Sequence, residues 1–122
     1  MEKSVAEILD QYSIAFIKDE KLNTKEATEN LITYSKGLDE IKVKYPSVDW
    51  SIIIKSFIDV NRTIWKYEAA VRQGLIDDDL AMVGSRAILV REFNQVRVGL
   101  GNIVSSLLQD GLINYKKEHI SE

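Results

Sequence analysis

The chain has 122 residues, 45% hydrophobic and 29% charged, which is the size and composition of one soluble globular domain with enough residues for a real core. It has no cysteine, which excludes disulfides, thiolate chemistry and thiolate zinc sites. Its net charge is −3 with dispersed Lys and Arg, so it lacks the basic face that phosphate neutralisation demands of a nucleic-acid binder.

The first residues, MEKSVAEILDQYS, carry acids and no continuous apolar run, unlike a signal peptide. No stretch approaches the ~18–20 apolar residues of a membrane span. The expected location is therefore the cytoplasm, with neither nucleic acid nor membrane as a partner.

Residues 4–18 place Val5, Ile8, Leu9, Tyr12, Ala15 and Phe16 at three- and four-residue steps, which predicts a first helix. The polar run KDEKLN, residues 18–23, reads as a connector. A second helix is expected over 24–44, opened by Asn23 as cap with Glu26 reaching back to it. Its stripe is Ala27, Leu31, Tyr34, Leu38, Ile41 and Tyr45, and Pro46 stops it because the residue before proline leaves the α region.

Ser47 or Asp49 is positioned to cap a third helix over 48–73, with the stripe Ile53, Phe57, Val60, Ile64, Tyr67 and Val71. Gly74 follows it as a C-terminal residue that tolerates positive φ. Asp77 or Asp78 then caps a fourth helix over 78–109, ending at Gly111, with the stripe Met82, Arg86, Leu89, Phe93, Val96, Leu100, Ile103 and Leu107. The tail, 111–122, shows no helical period and is expected to be irregular. The prediction is an all-α, single-domain, four-helix, mostly antiparallel bundle over residues 1–122, with a long C-terminal helical hairpin.

The unusual chemistry is concentrated in that hairpin, from Asp49 to Gln109. Beside the apolar seams run Ile54, Ile58, Asn61, Trp65, Glu68 and Arg72 on one arm and Val83, Ala87, Val90, Asn94, Arg97 and Gly101 on the other. Antiparallel pairing across a turn near residues 75–77 sets Glu68 opposite Arg86 and Asn61 opposite Phe93 and Asn94. Arg97 meets no acid across the hairpin, so its partner must be Glu7, Asp10, Glu92 or a ligand.

Two readings of these groups compete. They satisfy one another at the flank of the core and fix helix register. Or they line an interhelical pocket for an anionic ligand, with Asn61, Trp65, Glu68, Arg86, Asn94 and Arg97 as its binding residues and Trp65 as an apolar wall. Trp50, Trp65, Tyr67 and Arg97 are also residue types suited to a self-association face.

Catalytic patterns are absent. His119 is the only histidine and lies in the tail; the Glu-x-x-His pairs of a bundle di-metal site do not occur. Ser4, Ser85 and Ser105 have no nearby base, and Asp77, Asp78 and Asp79 lack the spacing of a calcium loop. No catalytic residue, metal or cofactor is assigned.

The run Asn61, Trp65, Glu68 and Arg72, followed by Arg91, Asn94 and Arg97, resembles small bacterial helical proteins of unknown function. Those carry an Asn…Trp-x-x-Glu-x-x-x-Arg run on one helix and an Asn-x-x-Arg run on the next. The resemblance covers the 61–102 hairpin and implies a helical bundle without a known activity. A comparison with the helical chorismate-mutase type stops at the first helix, which has no arginine and whose lysines, Lys3 and Lys18, fall at its ends.

The expected function is that of a non-enzymatic protein–protein interaction module that self-associates, as a homodimer. The surplus apolar surface of Ile54, Ile58 and Trp65 beside the main stripe of the third helix is the reason. The alternatives are a small-molecule binder or enzyme using the pocket around Arg97, and an immunity- or antitoxin-like partner protein.

Overall fold

A computed structural model describes residues 3–74 and 79–117, with side chains through Leu108. Four helices follow in order: α1 (Val5–Leu22), α2 (Lys25–Lys44), α3 (Trp50–Arg72) and α4 (Leu80–Lys117). The all-α bundle expected from periodicity is present, and no strand occurs among the described residues.

The arrangement has a centre that the spacing did not reveal. α1 packs against all three other helices, whereas α2 packs chiefly on α1, and α3 and α4 form the hairpin. Antiparallel steps link α1 to α2, where Ile8 lies by Gly37 and the Thr28 hydroxyl bonds Asp19, and α1 to α4, where Ala6 lies by Gly101 and Asp10 meets Arg97. α1 and α3 run parallel: Asn61 meets Asp10 and Ser13, and Arg62 meets Glu20 further along both helices.

The sequence of α1 suits this position. Leu9, Ser13, Ala15 and Ile17 are buried, and Ile8, Tyr12, Ile14 and Phe16 are half-buried, so apolar groups occupy most of its circumference. A helix apolar on most faces needs neighbours on most faces.

The core itself is Leu9 from α1, Leu38 and Ile41 from α2, Trp50 and Phe57 from α3, and Val104 from α4. Trp50 closes one end, its indole N–H donating to the Tyr45 carbonyl at 2.9 Å and its ring edge-on to Tyr45.

Several helix ends differ from expectation, each for a local reason. α1 continues through the supposed connector to Leu22, since Lys18, Glu20, Lys21 and Leu22 are good helix formers. Its N-terminus is a capping box in which Ser4 Oγ accepts from Glu7 N–H and Glu7 accepts from Ser4 N–H. Asn23 does not cap α2; it ends α1 in the left-handed region at φ 52°, its N–H bonded to the Asp19 carbonyl.

The cap of α2 is Thr24, whose Oγ1 accepts from Ala27 N–H at 3.1 Å. Thr24→Ala should therefore cost about 1 kcal/mol, while Asn23→Gly, relieved of its Cβ at positive φ, should leave stability unchanged or slightly raised. Urea denaturation of the two variants distinguishes these assignments, and the opposite ranking would restore Asn23 as the cap.

Asp49 stands at the N-cap of α3 without bonding its backbone, because its carboxylate accepts from Ser51 Oγ at 2.6 Å instead. At the start of α4 the acceptor is Asp79, bonded to Met82 N–H at 2.9 Å; Asp77 and Asp78, the expected caps, lie outside the described residues.

α4 does not stop at Gly111 but runs to Lys117, so the tail is not irregular over 111–117; a single glycine costs a helix only about 1 kcal/mol relative to alanine. His119 lies outside the described residues.

The stripe assigned to α4 is also corrected. The buried residue is Val104, flanked by half-buried Phe93, Leu100 and Leu108, while Met82, Val96, Ile103 and Leu107 are exposed. The α1-facing side of α4 carries Asn94, Arg97 and Gly101, which the spacing had set on the flank.

Candidate functional site

The candidate site lies where α1, α3 and α4 meet, and its hub is Asp10, one of the acids named as a possible partner for Arg97. Helix α1 carries Asp10 one turn after Ala6, whose methyl group lies 3.6 Å from where a side chain on Gly101 would begin. That close approach brings Arg97, one turn before Gly101, within reach. The guanidinium grips the carboxylate with both arms: Nε donates to Oδ1 at 2.8 Å and Nη2 to Oδ2 at 2.6 Å. Its third arm, Nη1, donates to Asn94 Oδ1 at 3.3 Å.

From α3, Asn61 completes the set. It is buried, and its Nδ2 donates to Asp10 Oδ1 at 3.0 Å and to Ser13 Oγ at 2.7 Å. Ser13 Oγ in turn donates to the Asp10 carbonyl at 2.7 Å. Three helices are joined through one carboxylate, and no buried side-chain nitrogen or oxygen among the described residues lacks a partner.

The electrostatics agree with this geometry. The hydrogen bond to Asp10 raises the Arg97 pKa above its ordinary value, opposed by burial and assisted by the charges of Asp10 and Glu68. A folded-state pKa raised above the unfolded one gives stability that is present below the unfolded pKa and lost as pH rises through the folded one. Arg97 therefore stays charged, and its contribution fades only in strongly alkaline solution.

Of the six residues expected to form one pocket, Asn61, Trp65, Glu68 and Arg97 line one cleft, Asn94 bonds Arg97 beside it, and Arg86 lies apart. Asn61 and Arg97 meet on Asp10, and Asn94 accepts from Arg97. Arg86 does not pair with Glu68: its guanidinium lies over the Tyr67 ring, 4.6 Å from the centroid, and Tyr67 packs against Phe93. Successive helical residues point about 100° apart, so when Tyr67 faces α4, Glu68 turns toward α1. There it pairs loosely with Arg72 at 3.7 Å, both side chains about half exposed, an ion pair of little energetic weight. Trp65 is half-buried beneath the Arg72 guanidinium, 5.4 Å from the ring centroid.

Nor do the four residue types suited to self-association share a face. Trp50 is buried in the core, Tyr67 lies between Arg86 and Phe93, and Arg97 points inward to Asp10.

Arg97 borders two clefts. One of about 190 Å³ has Ile14, Ile17, Ile64 and Trp65 as its apolar walls, and one of about 380 Å³ lies among Ala6, Glu7, Phe57 and Val98. At both, the Asp10 carboxylate already accepts three N–H donors and Ser13 bonds on both sides, while Arg97 uses three of its five N–H groups within the cluster. Within the cluster no hydroxyl is paired with a free base, and no carboxylate is free to move a proton.

Ser13 was the member missed in the sequence. Its signal was present, a serine three residues after Asp10 within an apolar stripe, yet its role depends on Asn61, 48 positions away.

Comparison of the chain with protein-family models, with curated proteins and with solved structures returns no match, so its function has to be read from this geometry.

Proposed function

We propose that the chain is a non-enzymatic protein–protein interaction module that self-associates, with the outer face of α4 as its contact surface. The observation that carries this reading is the chemistry of that face. Between Leu80 and Leu107 the only exposed charges are Arg91 and Glu92, while Met82, Val96, Ile103 and Leu107, which point within about 60° of one another, are exposed.

Helix α2 provides the contrast. Its exposed positions are mostly charged, among them Lys25, Glu26, Glu29, Lys36, Asp39, Glu40, Lys42 and Lys44, as befits a face turned to water. Depletion of charge together with large apolar groups distinguishes contact surfaces from the rest of a protein's exterior. No helix of the described residues is long and apolar enough to cross a membrane, so the face is not explained by a lipid span.

The surplus apolar surface thus sits on α4 and not on the Ile54, Ile58 and Trp65 stripe of α3. Those three are half-buried, Ile54 against the core and Trp65 under Arg72. The committed guanidinium of Arg97 supports a structural role for the polar cluster over an anion-binding one.

Sedimentation equilibrium at micromolar concentration tests the reading. The expected species has twice the 13.9 kDa of the chain, and a single species of chain mass across that range would defeat it.

A further inference from the structure

We infer that the self-associating form is an antiparallel, twofold dimer in which the α4 helices of two copies pack along the line Met82, Leu89, Val96 and Ile103. The inference rests on the self-association reading above and adds the geometry of the partner: a second copy, its α4 reversed and seated in the groove between α3 and α4 opposite α1.

The first observation is a heptad. Met82, Leu89, Val96 and Ile103 recur every seven residues, and Met82, Val96 and Ile103 are 41%, 48% and 64% exposed. This is the spacing by which one helix presents a continuous seam to another. Among the described residues, Met82, Val96 and Ile103 of that seam stay exposed and Leu89 is half-buried, since α4 meets α3 through Phe93 and α1 through Arg97 and Gly101.

The second observation sets the direction. Three residues after each large position stand Ser85, Glu92, Gly99 and Ser106, mostly small, and a side chain built on Gly99 would meet no other residue within 4 Å. Parallel packing stacks like on like: large layers alternate with layers of serine and glycine that leave voids, and Glu92 lies beside its own copy. Reversing one helix sets Met82 over Ser106, Leu89 over Gly99 and Ile103 over Ser85 of the second copy, each knob on a small residue. Val96 then receives the methylene stem of Glu92, whose carboxylate stays in water.

The available area is sufficient. Met82 to Leu107 spans about 37 Å at 1.5 Å per residue. On α3, Ile52 lies about 60° beyond the α4-facing Tyr67, on the side away from the α1-facing Asn61, and is 65% exposed. Counting that flank, the face is about 20 Å wide, or roughly 750 Å² per copy, against about 800 Å² per partner in a standard stable interface. The contact is isologous, as closed twofold dimers require.

Because the chain contains no cysteine, introduced cysteines report the geometry without interference. The double variant Ser85→Cys/Ile103→Cys should convert under mild oxidation to a disulfide-linked dimer. So should an equimolar mixture of the two single variants, whereas neither single variant should cross-link alone. Cysteines at 85 and 103 of one α4 are about 27 Å apart and cannot bridge within a chain. A control cysteine on α2, Thr33→Cys, should stay unlinked.

Rapid cross-linking of either single variant, or of neither the double variant nor the mixture in a protein that sediments as a dimer, would overturn the antiparallel seam and leave self-association standing. A monomer by sedimentation would overturn the self-association reading and this inference with it.

Discussion

Asp10→Ala should lower the stability of the bundle by about 2–3 kcal/mol, seen as a melting temperature roughly 8–12 °C lower. Removing one partner of a fully buried ion pair costs about 3–5 kcal/mol. The figure is reduced here because the side chains of Asp10 and Arg97 are 20% and 32% exposed, so water partly replaces what is lost. The loss falls on three helices at once, since the same carboxylate accepts from Arg97 and Asn61, and Asn61 would keep only Ser13.

Arg97→Met keeps the apolar stem and leaves Asp10 with Asn61, so it should cost less, about 1–2 kcal/mol. The double variant should be hardly less stable than Asp10→Ala alone, a coupling of about 1–2 kcal/mol, because the second removal no longer breaks a pair. Urea denaturation of the four proteins measures the cycle. Additive effects would mean that the two residues contribute independently, and an unchanged Arg97→Met protein would end the assignment of Arg97 as a structural lock.

Val96→Glu and Ile103→Glu should each weaken the proposed dimer by at least about 100-fold while leaving the folded single chain intact. In a twofold dimer each substitution occurs twice, and the lost burial of two Val or Ile side chains together with the desolvation of two carboxylates in an apolar seam amounts to that factor. Both positions are about half exposed or more within one chain, so a glutamate there meets water when the dimer separates. Sedimentation equilibrium reads the dissociation constant and thermal denaturation at low concentration reads the fold. A variant that still sediments as a dimer would show that the contact surface lies elsewhere.

These expectations rest on different amounts of sequence information. The helices were legible because three- and four-residue spacing needs no knowledge of neighbours, and so were the buried Leu9, Leu38, Ile41, Phe57 and Ile64. The ends were less so. Asn23 and Thr24 are adjacent residues that both suit an N-cap, and only the left-handed conformation of Asn23 decides which helix each serves.

The site was legible in its membership and not in its pairing. Arg97 stood out as an arginine without an acid across the hairpin, and Asp10 was among the acids proposed for it. The Glu68–Arg86 pair was inferred from level alone. It fails because an antiparallel level leaves the rotation of each helix undetermined, and Tyr67, not Glu68, is turned toward α4.

The α4 stripe fails for a related reason. A 38-residue helix with apolar groups on several sides offers more than one seam, and spacing cannot say which of them this chain covers. Composition and period by themselves determined an all-α bundle without cysteine chemistry or a basic face, because those properties are local and additive along the chain. Only tertiary packing decided that α1, and not the long hairpin, occupies the centre, that Arg97 is paired with Asp10, and that Met82, Val96 and Ile103 of α4 remain exposed. Each of these depends on which faces of separate helices are brought together, and that is a relation between residues far apart in sequence.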